Sequence, residues 1–237
     1  MKRLILCFIY LIFLSVSLRA EKNEGITYRD SILILAESMP SDTARLAYLQ
    51  SMAYCHQYFP YNRYFATALY EEAKRQKNIF YENEGAYYLA GYYDKKHDPD
   101  SLTYWVNQLK ELVSGVGTYD YYLERKAAIG RALASKRMIE KAVHVTKEVL
   151  EEAIAHNSNN GKIAAYNSLG CAYSVSSRPE EALKVLMKAY HEFKPGTKPF
   201  LKVDILSRIT QVYGNGGDDK SKMPYLCEMD KTLQEVM

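Results

Sequence analysis

Apolar positions along this chain recur at three- and four-residue intervals rather than in alternation, so helices are expected almost throughout. The run from Ile26 to Met39 puts Ile32, Leu33, Leu35 and Ala36 on one side and stops at Pro40, which predicts a lone first helix within residues 21–41. A cap at Ser41 or Asp42 opens a second helix to about His56, with Leu46, Leu49 and Ala53 on one side. Phe59 to Asn62 breaks it. A third helix from about Arg63 to Lys77, carrying Ala66, Tyr70 and Ala73, completes a pair over residues 42–77.

Beyond this pair the pattern becomes periodic. Numbered from Ile163 as position one, Tyr166 stands at four, Leu169 at seven, Gly170 at eight, Tyr173 at eleven, Ala182 at twenty, Leu186 at twenty-four and Ala189 at twenty-seven. Forty residues earlier, Leu123 begins a copy with Ile129, Gly130, Leu133, Ala142 and Val149 at matching places. Asn83 begins another with Ala86, Leu89, Ala90, Tyr93, Leu102, Val106 and Leu109, and Val203 a fourth with Leu206, Ile209, Thr210 and Tyr213. Small residues at eight and twenty mark the crossing of two helices, because axes about 8–10 Å apart leave no room there for a long side chain. Turn chemistry fits as well: Asp98 before Pro99 reads as a cap followed by a first-turn proline, and Ser177 with Glu180 as a capping box around Pro179.

This pattern resembles the tetratricopeptide repeat (TPR) over roughly residues 42–236, residues 42–77 reading as a diverged pair and Pro195 lying one place beyond the usual closing proline. The spacing of 40 exceeds the usual ~34 by about six residues, seen as Asn157 to Lys162 and Thr197 to Lys202, which lengthen the second helix or the loop between repeats. The resemblance implies an all-α, right-handed α-solenoid of tandem helical hairpins with about eleven helices. It implies a non-catalytic module that takes a protein or peptide on the concave face, lined by positions two, five, nine and twelve of each first helix. By register these are Glu84, Tyr87, Asp94, Glu124, Arg131, Asn167, Cys171, Ser174, Asp204, Ser207 and Gln211. Arrays that clamp a terminal carboxylate carry lysine, asparagine and arginine where this chain has Tyr87, Gly91, Ala128, Ala164 and Ser168, so that function is not expected.

The opening LAESMPSDTARLAYL is similar to that of exported TPR sensor regions of Bacteroidetes-type regulators, in which a membrane helix and an output domain follow the repeats. Here the chain stops at Met237 after the fourth repeat, which reads as a stand-alone exported member or as a truncated sensor of a two-component or transcriptional regulator. The other alternative is a small-molecule or glycan-sensing solenoid that uses the tyrosine-lined face. The last helix, about Ser221 to Val236, has no repeat to cover Met223, Leu226, Met229 and Leu233, so self-association through it is expected.

Composition changes the picture mainly at the N-terminus. Lys2 and Arg3, an apolar run from Leu4 and small residues leading to Ala20 have the layout of a secretory signal, with cleavage after Ala20 and a periplasmic destination. The alternative is an uncleaved anchor: the run is shorter than the ~20 residues a spanning helix needs, whereas Leu18 is bulky for the place two before the cleavage point; after cleavage no membrane span is expected. Loss of Lys2, Arg3 and Arg19 takes the balance from 31 basic against 28 acidic residues to 28 against 28. Such a neutral chain is not expected to bind nucleic acid, which needs a basic face.

Candidate chemistry is sparse, and neither catalysis nor a metal or other cofactor is expected. Cys55, Cys171 and Cys227 contain no CxxC pair; an oxidising compartment would allow one bridge, with sequence unable to choose the pair. His144 has Glu140 and Glu148 four residues either side, a spacing common on charged helix faces. Cys55 and His56 are neighbours, which on a helix point ~100° apart and do not form a nucleophile–base pair. The chain has 22 tyrosines, among them Tyr87, Tyr88, Tyr92, Tyr93, Tyr119, Tyr121 and Tyr122, whose first use is packing with the hydroxyl at the surface.

Overall fold

The computed structural model describes residues 27–57, 59–116 and 119–235, which form eleven helices and no strand. In chain order these are α1 (Tyr28–Ser38), α2 (Thr43–Cys55), α3 (Asn62–Arg75), α4 (Ile79–Lys95), α5 (Pro99–Val116), α6 (Tyr119–Ser135), α7 (Ile139–Ala155), α8 (Asn159–Val175), α9 (Pro179–His191), α10 (Pro199–Asn215) and α11 (Asp219–Gln234). The chain is an all-α array of helical hairpins, divided into two compact units between Tyr88 and Leu89, within α4. The segment expected to be a secretory signal lies outside the described residues.

In the first unit, Thr27 and Asp30 close a capping box over the first turn of α1, and the Asp42 carboxylate accepts the backbone N–H groups of Ala44 and Arg45 at the start of α2. Helix α1 packs on both α2 and α3 through Ile32 and Ala36. Leu46, Leu49, Met52 and Ala53 of α2 meet Phe65, Ala66, Leu69 and Tyr70 of α3 in a core closed to solvent. The short link between these helices is fixed by buried Asn62, whose Nδ2 donates to the Ala53 carbonyl at 2.7 Å. Gly85 of α4 lies flat against α3: a Cβ there would come within 2.8 Å of the Tyr70 N, Cα and Cβ atoms.

From α4 onward the helices begin at 79, 99, 119, 139, 159, 179, 199 and 219, one every twenty residues. Among the described residues, six of the connections from α3 onward share one geometry, and the longer link from α9 to α10 departs from it, with Gly196 at φ 90°. Lys77, His97, Arg137, Asn157, Ser177 and Gly217 are left-handed, with φ between 51° and 74°. The N–H of the next residue then donates to the carbonyl five places back, as in Ser158 to Ala153 (2.8 Å) and Asp218 to Tyr213 (3.0 Å). Where that next residue carries a side-chain oxygen it also caps the following helix: Asp98 accepts from the Ser101 N–H, Ser158 from Gly161 and Asp218 from Ser221. The capping box expected at Ser177 and Glu180 is not formed. Ser177 is itself the left-handed residue and Arg178 stands at the cap without a side-chain bond, because a three-residue connection leaves one position for each role.

Of the six extra residues per repeat, four lengthen the first helix, and the other two, Asn157 with Ser158 and Thr197 with Lys198, lie in the connection before it. Each first helix starts four residues before its repeat's first position, at 79, 119, 159 and 199 against 83, 123, 163 and 203, so a full added turn precedes the pattern. Small residues do mark the crossings of the second unit. A Cβ on Gly170 would lie 2.6 Å from Leu186 Cδ2, and one on Gly130 would fall on Thr146 Oγ1 and 3.3 Å from the Ala142 carbonyl oxygen. Within this unit α6 packs on α8 and α8 on α10, whereas α7, α9 and α11 contact first helices and not one another. The first helices thus lie together on one side of this layer, called here its inner side, and the second helices lie on the other.

Candidate functional site

The inner side of the second unit carries a row of polar groups, one from each successive first helix: Asp94 on α4, Arg131 on α6, Ser168 on α8 and Asp204 on α10. Their steps are 37, 37 and 36 residues against a repeat of 40, so contacts between neighbouring first helices slip by about one helical turn per repeat. Arg131 Nη2 donates to Asp94 Oδ2 at 2.8 Å, Arg131 Nη1 reaches Ser168 Oγ at 3.5 Å, and Ser168 donates to the Ala127 carbonyl. Burial works against the Arg131 charge, but the carboxylates of Asp94 and Asp204 outweigh it and hold the guanidinium above its ordinary pKa. Arg125 flanks Asp94 at 4.0 Å, and Gly91 makes room for it, since a Cβ there would sit 2.7 Å from an Arg125 Nη atom.

A second row uses the same step. Glu124 on α6 and Lys198 at the N-cap of α10 are ion-paired at 2.5 Å across two repeats, and the residue midway in register, Gly161 on α8, has no side chain. Lys198 Nζ also lies 4.4 Å from the centroid of the Tyr121 ring. Glu124 is 6% exposed; its Oε2 has no hydrogen-bond partner among the described residues. Burial raises its pKa, with the Lys198 charge opposing. Asp204 presents its surface to solvent, yet partial burial of its carboxylate also raises its pKa, against the pull of Arg131 and Arg208.

These positions separate the residues expected to line a groove. Glu84, in the first unit, is buried and accepts from Gln50 Nε2 at 2.9 Å, while Tyr87 is half-buried with its ring edge-on to Tyr88. In the second unit Glu124 and Asn167 are buried, the Asn167 Oδ1 having no hydrogen-bond partner among the described residues, and Asp94 and Arg131 are joined to each other. Ser174, Asp204, Ser207 and Gln211 are exposed, with Cys171 half-buried. Lys198, Arg125 and Ser168 belong to the same polar face and are not among the positions given by the 40-residue register. The 37-residue step would have pointed to Ser168 and Lys198, whereas Arg125, 31 residues from Asp94, has no such signal.

The other candidates are quickly placed. His144 Nε2 is 3.2 Å from Glu148 Oε1, both side chains being exposed, and no group of three or more metal-ligating side chains comes together among the described residues. His56 is held by the Met52 carbonyl at 2.8 Å and the Tyr28 hydroxyl at 3.3 Å, and the neighbouring Cys55 is exposed. Cys55, Cys171 and Cys227 are free thiols. Tyr88 and Tyr122 pack in the interior, and Tyr119 stacks on His156 at 3.7 Å. Met223 and Leu233 of α11 are 52% and 42% exposed; Thr232 of this helix is buried, and Tyr225 lies between Tyr190 and Tyr213. None of the described helices is long and apolar enough to cross a membrane.

Comparison with known proteins adds little to this geometry. No family model matches the sequence, and no curated protein matches it. Among solved structures, the chain is similar to the nearly identical TPR-like repeats of a Podosopora anserina protein described as a kinesin light chain. The identity is 14% and the TM-score 0.47, over 84% of this chain and 99% of that one. The repeat assignment therefore rests on the twenty-residue recurrence of helix starts and turns.

Proposed function

We propose that this chain is a non-catalytic interaction module that holds a protein or peptide segment against the inner face of its first helices. The observation that carries this reading is the one-residue-per-helix row Asp94, Arg131, Ser168 and Asp204, continued in the open by Ser174, Ser207 and Gln211. A layer of rigid helices that sets one polar group from each repeat along a line suits an extended chain better than a compact substrate. Asp94 and Arg131 hold the helices together, which leaves Asp204, Ser174 and Gln211 to meet the partner. The N-terminal sequence supports an exported, periplasmic setting, and the sensor-like opening supports a role in detecting an extracytoplasmic polypeptide. The exposed apolar residues of α11 support self-association at that end.

The test is site-directed photocrosslinking in the native compartment, with the reactive group placed at Ser174 and Gln211 on the inner face and at Lys147 and Lys184 on the second helices. Discrete polypeptide adducts are expected from the inner positions and not from the outer ones. Equal labelling from both faces, or none from Ser174 and Gln211, overturns the proposal.

A further inference from the structure

A cleft of about 380 Å³ opens in the first unit between α1, α2 and α3. Leu33, Ala36, Leu49 and Ala68 supply its apolar surface. The charges around it fall into two groups. Glu72 is 5% exposed and saturated: Ser41 Oγ and Gln76 Nε2 each donate to Oε1 at 2.6 Å, and Arg45 and Arg75 pair with Oε2. Arg45 also donates to the carbonyls of Glu37 and Met39, so its charge is engaged within the fold. The second group is Glu37 on α1 and Glu71 on α3, exposed carboxylates that line the same cleft and pair with no cation among the described residues.

We propose that this cleft binds a small aliphatic amine, its ammonium group paired with Glu37 and Glu71 and its hydrocarbon stem laid on Leu33, Ala36, Leu49 and Ala68. The charge pattern selects the sign of the ligand. The three glutamates and two arginines around the cleft leave one negative charge uncompensated, and both arginines already serve Glu72. An anion would meet the two free carboxylates without a free cation to offset them, whereas an ammonium compensates them and keeps its stem out of water. The volume lies in the range of small-ligand pockets, about 300–1,000 Å³.

The full chain is titrated by calorimetry and ligand-observed NMR at neutral pH with three probes that share one stem, hexylamine, hexanol and hexanoate. Saturable binding of hexylamine is expected, with hexanoate weaker by roughly tenfold or more and hexanol between them. Removing both charges in Glu37→Gln/Glu71→Gln should weaken hexylamine by roughly tenfold, and both positions being exposed, the melting temperature should be unchanged. Ala68→Trp, which fills the cleft without altering charge, should abolish binding of hexylamine and hexanol alike. Hexanoate binding as well as hexylamine, no saturable binding of any probe, or an unaltered hexylamine affinity in the double-glutamine variant each overturns the proposal.

Discussion

The crossing of α6 and α7 permits a quantitative test of the small-residue rule. A Cβ added at Gly130 would fall on Thr146 Oγ1, 3.3 Å from the Ala142 carbonyl oxygen and 3.5 Å from Ser168 Cβ. Thr146 cannot yield easily, being closed to solvent and donating to the Ala142 carbonyl at 2.6 Å. In Gly130→Ala, overpacking costs roughly 1–3 kcal/mol and the strained Thr146 bond about 1 kcal/mol more, while replacing glycine within a helix returns about 1 kcal/mol. The net expectation is a loss of about 1–3 kcal/mol. Gly214, with nothing within 4 Å of its Cβ position, is the control in the same unit: Gly214→Ala should gain about 0.5–1 kcal/mol. Thr146→Ala removes the obstructing oxygen, so in that background Gly130→Ala should cost nothing, a coupling of about 2 kcal/mol between two contacting sites. Urea unfolding followed by far-UV circular dichroism measures all four variants. A Gly130→Ala chain that is stabilised like Gly214→Ala, or a penalty that persists beside Ala at 146, refutes the crossing geometry.

Two further expectations concern the turns and the inner face. Ser177 adopts φ 60°, a left-handed conformation that costs a residue with a Cβ roughly 1 kcal/mol, so Ser177→Gly should raise the urea midpoint, whereas Asn157→Gly should change it little because asparagine tolerates that region. At Glu124, burial raises the folded-state pKa above that of the unfolded chain, so the folded form holds the proton more tightly. The stability linked to it is present below the unfolded value of about 4.3 and is lost as pH rises through the folded value. Wild type should therefore lose stability relative to Glu124→Gln as pH is raised from about 4, and a relative gain over that window would show that pairing with Lys198 dominates instead.

The periodic placement of Gly130 with Ala142 and Gly170 with Ala182 is recorded residue by residue, because helical packing repeats at fixed intervals along one chain. From it the hairpins, their 40-residue spacing and the close crossings are legible in the sequence. The turn positions are less so: Lys77, His97, Arg137 and Ser177 occupy the left-handed corner without the glycine that would announce it. The added turn ahead of each repeat was also hidden, since Asn159 to Lys162 reads as loop by composition and is helix only because α8 is docked along its full length. Tertiary structure alone decided which inner-face groups are spent and which are free. Glu124 meets Lys198, and Arg131 meets Asp94, across the one-turn slip between packed first helices. That slip is a property of two surfaces fitting together, and a single strand of sequence does not contain it.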